Sequence, residues 1–247
     1  MIHVESLALV VALGGAWVVG WRAVRGARRW PAARALAFGA GLLALTAAVN
    51  GPLHDFAERS FVSAHMVQHL VLVLVVAPLL LAGLPAELID PLLAPRGLRA
   101  VVAWATHPPI ALAIYSAALV AWHLPGPYAL TLSSDAWHVT AHVTMLAAAV
   151  VAWWPVAGAS RSVPALPYAA QILYLFAFGI PMTVVAAMIT GAETLLYPSA
   201  SPTPLQDQRL GGVLMWVPAG IVPLVAFTIV FFRWAAAEAE DVTEYPK

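Results

Sequence analysis

The sequence predicts an all-α, polytopic integral membrane protein built as a bundle of seven transmembrane helices. The composition is 62% hydrophobic and only 10% charged, with a mean hydropathy of +0.85, whereas soluble domains carry roughly 25% charged residues. Seven apolar segments also approach the ~20 residues that a bilayer-spanning helix requires. Strand patterning is absent, and an open sheet would leave backbone groups unpaired in lipid. The predicted spans are therefore α-helices.

The predicted spans occupy, in order, about residues 4–21, 35–50, 61–83, 100–122, 136–157, 168–191 and 211–232. Short connections rich in turn-forming residues, such as Asn50-Gly51-Pro52, separate them. No soluble domain fits between the spans, so residues 1–247 are predicted to form a single transmembrane domain. No small-residue cleavage site follows the first segment, and we expect that segment to stay in the membrane.

The distribution of basic residues predicts the orientation. Positively charged connections remain in the cytoplasm, and ten of the twelve basic residues fall on one side of the predicted bundle. An external N-terminus and a cytoplasmic C-terminus follow, since the number of spans is odd. Arg59 and Arg209 fall on the other side. The ten that agree are Arg22, Arg25, Arg28, Arg29, Arg34, Arg96, Arg99, Arg161, Arg233 and Lys247.

Five histidines lie near one end of their predicted helices. His65 and His69 begin the third span, His123 ends the fourth, and His138 and His142 begin the fifth, so the orientation places all five at the external face. Each His-x-x-x-His pair puts two imidazoles on one helix face, about 6 Å apart along the axis. Polar groups this close to hydrocarbon are costly unless they serve a shared purpose. The two pairs predict a metal or haem site.

Methionines near these histidines favour copper as the metal. Met145 shares a helical stripe with His138 and His142, and Met66 lies between the first two histidines. Met215 falls toward the external end of the seventh span. The chain has no cysteine, and imidazole with thioether suits Cu(I), whereas zinc is more often completed by a carboxylate or water. A methionine in a membrane helix is nevertheless usually a packing residue.

The remaining histidines are weaker candidates for metal ligands. His107 lies at the cytoplasmic end of its span beside Pro108 and Pro109, and is interpreted as a residue that starts a helix. His3 and His54 are predicted to lie outside the helices. Asp207 differs from the other external carboxylates because a Gly-Gly pair follows it at 211–212 and would let the seventh helix pack closely against a neighbour.

Two other functions remain open from the residues alone. Axial histidines on facing helices could hold b-type haem, although the inner side of the membrane offers only His107. Three histidines could instead hold zinc in an intramembrane hydrolase, but no acidic residue lies inside a predicted helix core. The net charge of zero gives no indication of a nucleic-acid partner.

An ordered set of motifs resembles the CtaG family of cytochrome c oxidase assembly factors over roughly residues 50–220. The motifs are His65-Met66-Val67-Gln68-His69, Ala77-Pro78-Leu79-Leu80, Trp122-His123-Leu124-Pro125 with Tyr128, His138-x-x-x-His142, Trp153-Trp154-Pro155, and Asp207-Gln208 with Gly211-Gly212 and Met215-Trp216.

This resemblance implies a non-enzymatic chaperone of the bacterial plasma (inner) membrane. It would supply copper to subunits of a caa3-type cytochrome c oxidase from a site facing the periplasm or exterior, with the donor of the copper left open. The bilayer and the oxidase are the partners it implies. The ligands it implies are His65, His69, His123, His138 and His142, with Asp207 and Met215 as support.

Overall fold

The computed structural model describes residues 4–25, 32–58 and 61–244. Within these ranges the chain is helical and contains no strand. Several residues used in the sequence analysis lie outside the described residues: His3, Arg28, Arg29, Arg59 and Lys247.

The helices are α1 (Val4–Arg25), α2 (Ala32–Val49), α3 (Pro52–Glu58), α4 (Val62–Leu70), a π-helical segment (Val71–Val76), α5 (Ala77–Gly83), α6 (Ala86–Leu92), α7 (Arg96–Ala105), α8 (Pro108–His123), α9 (Pro125–Ser133), α10 (Asp135–Ala157), α11 (Tyr168–Gly191) and α12 (Pro204–Glu244).

The structure confirms an all-helical, multi-pass architecture with five or six candidate spans among the described residues. Five helices are long and apolar enough to cross a bilayer: Ala32–Glu58, Val62–Gly83, Asp135–Ala157, Tyr168–Gly191 and Pro204–Ala239. The bent pair of α7 and α8 would make a sixth. The predicted span at 4–21 falls in α1, whose apolar stretch Val10–Val24 is shorter.

The predicted fourth span, 100–122, is not one continuous helix. Its two parts meet at an angle of 71° between Ala105 and Pro108. Pro108 and Pro109 have no N–H to donate to the preceding turn, and a proline disfavours helical geometry in the residue before it. His107 is accordingly extended and occupies the N-cap position of α8, which confirms its interpretation as a helix-start residue.

Two helices extend beyond their predicted limits. The second span continues past a break at Gly51, whose φ is +76°, into α3. The expectation that His54 lies outside the helices is therefore wrong, because it belongs to α3. The last helix, α12, has 41 residues rather than the predicted 211–232, and its first turn already contains Asp207.

The π-helical segment that follows α4 leaves one backbone carbonyl opposite Pro78. The Ala77 N–H donates to the Leu72 carbonyl in the i to i−5 pattern, so the Val73 carbonyl would next pair with residue 78, a proline without an N–H. The Trp153 indole of α10 donates to that carbonyl instead, at 2.8 Å. This bond fixes α10 against the span Val62–Gly83, which begins with α4 and is called the α4 span. These are the two elements that carry the histidine pairs.

The Gly211-Gly212 pair lets α12 contact two neighbours closely, as predicted. A Cβ at position 211 would lie 3.1 Å from Met66 Cγ of α4, and one at position 212 would lie 2.7 Å from the Thr190 backbone nitrogen of α11. Close backbone approach at small residues is a main source of helix association in membranes. The start of α12 is therefore packed between α4 and α11.

We expect Gly212→Ala to destabilise the protein by about 1–3 kcal/mol, the usual cost of overpacking a tight contact, because the Thr190 backbone cannot rotate away. The thermal midpoint in detergent measures this effect. Gly220→Ala is the matched control, because a methyl group added at that position of the same helix would have no atom of a neighbouring element within 4 Å. Equal midpoints for the two variants would contradict the close packing.

Candidate metal site

Three helices bring the five predicted histidines into one cluster at the same end of the bundle. The ring centroids are 4.4 Å apart within each His-x-x-x-His pair, His65 with His69 and His138 with His142. Between α4 and α10, the separations are 5.4 Å for His65 and His138, 6.0 Å for His65 and His142, and 5.5 Å for His69 and His142. His123 of α8 lies 5.1 Å from His69. The three helices therefore converge at these histidines, which the spacing within each helix does not by itself determine.

Three of these residues have the geometry of a metal centre. His65, His69 and His142 are buried, and each offers one ring nitrogen within 4.8 Å of the others. Imidazole nitrogens bind zinc or a similar ion at about 2.0–2.1 Å, which places ligand atoms roughly 3.4 Å apart. Small inward rotations of the rings would bring the three nitrogens around one ion.

A hydrogen-bond chain orients one of these three histidines, His69. The Nδ1 atom of His123 donates to the Leu119 carbonyl at 2.7 Å, since a carbonyl can only accept. In the neutral ring, His123 Nε2 then accepts from His69 Nδ1, 3.4 Å away. His69 Nε2 is left with its lone pair directed into the cluster. This is the arrangement by which outer partners fix the tautomer of metal-binding histidines.

Several buried ring nitrogens have no hydrogen-bond partner among the described residues. They are both nitrogens of His65 and the Nε2 atoms of His69, His138 and His142. Buried polar atoms are nearly always paired, because removing them from water without a partner costs free energy. A neutral imidazole carries one N–H and one lone pair, so a bound cation could satisfy one nitrogen on each ring that it contacts. Their concentration in one place is the strongest structural indication of a ligand.

The three predicted methionines lie in the hydrophobic core. Met66, Met145 and Met215 are all buried there. Met66 fills the space that Gly211 opens on α12, so packing accounts for that side chain. Thioether ligation by any of the three stays a prediction.

Asp207 is bonded to the start of α4. Its carboxylate accepts from the Val62 N–H at 2.7 Å and from the hydroxyls of Ser63 and Ser199 at 2.5 and 3.1 Å. The N-cap residue of α4, Phe61, has no side-chain acceptor, and the first N–H groups of a helix need one. Asp207 thus caps the helix that carries His65 and His69.

The neighbouring Gln208 organises the loop that follows α11. Its side-chain oxygen accepts from the N–H groups of Leu196 and Tyr197 at 2.7 and 3.3 Å. The Tyr197 hydroxyl then donates to the His123 carbonyl at 2.6 Å. The Asp207-Gln208 pair therefore braces two histidine-bearing helices from α12.

Two further residues join the cluster. His54 of α3 lies 5.4 Å from His138 between ring centroids, and its Nε2 atom is 3.0 Å from Glu58 Oε1. The sequence carried a signal for it, since His54 and Glu58 are four residues apart and face the same side of a helix. The Tyr128 ring lies 4.9 Å from His65. Burial raises the pKa of the Tyr128 hydroxyl, which therefore remains protonated and able to donate.

Comparison with known proteins gives a family match over most of the chain. The family model described as cytochrome c oxidase caa3 assembly factor matches residues 15–237. An uncharacterized protein of Mycobacterium leprae (strain TN) is 26% identical over 255 residues, an alignment that covers 92% of this chain. The chain spans 38% of the length of that relative. No solved structure matches the chain significantly.

We expect Asp207→Ala to lower the free energy of unfolding by about 1–2 kcal/mol, the upper part of the range for a lost helix cap. Metal content measured well below the melting transition should stay unchanged, because the carboxylate is bonded to α4 and does not belong to the triad of His65, His69 and His142. Glu193→Ala, at an exposed carboxyl before the loop that Gln208 braces, is the control. Loss of metal with an unchanged midpoint would instead make Asp207 a ligand.

Proposed function

Because the chain belongs to the cytochrome c oxidase caa3 assembly factor family, we propose that it holds copper as cargo and delivers it to the oxidase during assembly. The observation that carries this proposal is the buried triad of His65, His69 and His142. The family indicates an assembly role, and no bond-making reaction on a substrate is needed for it.

The chemistry of the donor set favours Cu(I) over zinc. Zinc sites with three histidines are usually completed by a water or a carboxylate, and the nearby Asp207 carboxylate is already bonded to α4. A monovalent ion also loses less hydration free energy on burial than a divalent one. Neutral imidazoles suit such an ion, and Met145 or Met215 could add a thioether.

The crowding of the rings disfavours haem as the ligand. His65 and His142 face each other at 6.0 Å, but a porphyrin between them would need the space that His69 and His138 occupy. His69 is 4.4 Å from His65, and His138 is 4.4 Å from His142. A metal ion requires no such space. A zinc hydrolase would in turn need a free carboxylate beside the ion to activate water.

The proposed orientation places the cluster at the external face of a bacterial plasma membrane. The five long helices, the bent pair of α7 and α8, and α1 together would give seven spans, with the N-terminus outside and the C-terminus in the cytoplasm. Arg96, Arg99 and Arg161 then lie on the cytoplasmic side. Copper would leave the triad by exchanging one imidazole at a time with ligands of an oxidase subunit, for which His138 is the adjacent intermediary.

We expect purified protein loaded under reducing conditions to retain Cu(I), and His142→Ala to lower its affinity for Cu(I) at least tenfold, because the triad loses a ligand. His107→Ala, at an exposed histidine at the start of α8, should leave the affinity unchanged. Titration against a chromophoric Cu(I) chelator measures both variants.

The same purified protein should lack a Soret absorption band. Such a band, or zinc retained in preference to copper after growth with both metals, would contradict the proposed cargo. Unchanged Cu(I) affinity in His142→Ala would contradict the proposed site.

A further inference from the structure

We propose that His54 and His138 form a second, outer Cu(I) position beside the triad, oriented by Glu58. This inference rests on the proposed function and adds a binding position that the five-histidine pattern does not contain. His54 comes from α3, whereas His138 begins α10.

The hydrogen bonds of His54 prepare it as a ligand. The side-chain NH2 group of Gln68 donates to the Ala48 carbonyl at 2.8 Å, so the same nitrogen donates to His54 Nδ1 at 3.0 Å. His54 Nδ1 therefore carries a lone pair, and Nε2 carries the hydrogen that the Glu58 carboxylate accepts. A carboxylate on the far nitrogen is the usual outer partner of a metal-binding histidine.

His138, which faces His54, has a ring nitrogen without a hydrogen-bond partner in the part of the chain that the structure describes. His138 Nε2 is buried and has no partner among the described residues, while the backbone of Thr131 bonds to the same ring. The rings of His138 and His54 are perpendicular, with centroids 5.4 Å apart. Cu(I) accepts two imidazoles as its only ligands, so one ion between them would pair the His138 lone pair. Gln68 would keep its bond to Ala48 when His54 Nδ1 turns to the ion.

The position lies between the triad and water. His138 adjoins His142 and His65 of the triad at 4.4 and 5.4 Å, whereas the Glu58 side chain is 40% exposed. An ion that enters from the external solution would meet the acidic side chain first, then the outer position, and then the triad. The outer position should thus exchange its ion faster and bind it more weakly.

The test is a titration of the purified full-length protein with Cu(I) alone, buffered by a chromophoric chelator. We expect two ions per chain in the wild type and one in His54→Ala and in His138→Ala, with the tighter ion retained in both. Glu58→Gln should keep both ions and weaken the second about tenfold. His107→Ala and Glu193→Gln are controls that should match the wild type.

One ion in the wild type, or two in His54→Ala, would overturn the outer position and leave the proposed function intact. A wild type that binds no Cu(I) would overturn the proposed function itself. Should His54→Ala lose both ions through misfolding, Glu58→Gln decides, because its side chain is partly exposed: an unchanged second affinity overturns the inference.

Discussion

The hydrogen bond from the Trp153 indole to the Val73 carbonyl fixes how the two pairs of histidines meet. In the π-helical register the Ala77 N–H donates to Leu72, and Pro78 has no N–H for the Val73 carbonyl, while an unpaired backbone group inside a bilayer costs several kcal/mol. The bond can form only when α10 stands at one height relative to the α4 span. At that height His65 and His142 face each other at 6.0 Å. The π-helical segment is thus part of the framework of the cluster and not an isolated irregularity.

The external end of α12 supplies the second constraint. Asp207 caps α4, and Gln208 holds the loop whose Tyr197 hydroxyl bonds to the end of α8. The Gly211-Gly212 pair lets the same helix approach both α4 and α11. These contacts satisfy polar groups of the helix ends and the loop beside the cluster. The contacts of α12 are therefore paired internally, whereas several imidazole nitrogens of the cluster have no partner among the described residues.

The fold class and the sharing of one helix face by each pair of histidines could be predicted because each follows from a local pattern, whereas the convergence of α4, α8 and α10 depends on contacts between helices. Apolar length determines which segments can span, and a spacing of four determines which imidazoles share a face. The bend at His107 follows from Pro108 and Pro109. The hydropathy of residues 100–122 does not reveal it, because the segment is apolar on both sides of the bend. Long-range contacts had no such signal: nothing in the spacing of Asp207 indicates that its partner is the N-terminus of α4, 145 residues earlier. His54 was missed because α3 is a short helix after a glycine break.

The acceptor that orients His123 is a main-chain carbonyl, that of Leu119. Every residue type carries the same carbonyl, so an apolar side chain that fits the buried position 119 would preserve the tautomer of His123 and, through it, that of His69. The backbone carbonyl that sets the direction of the His69 lone pair therefore does not depend on the chemical identity of the side chain at position 119. Variation along the outward face of α8 can change its packing against lipid without altering which nitrogen of His69 faces the cluster.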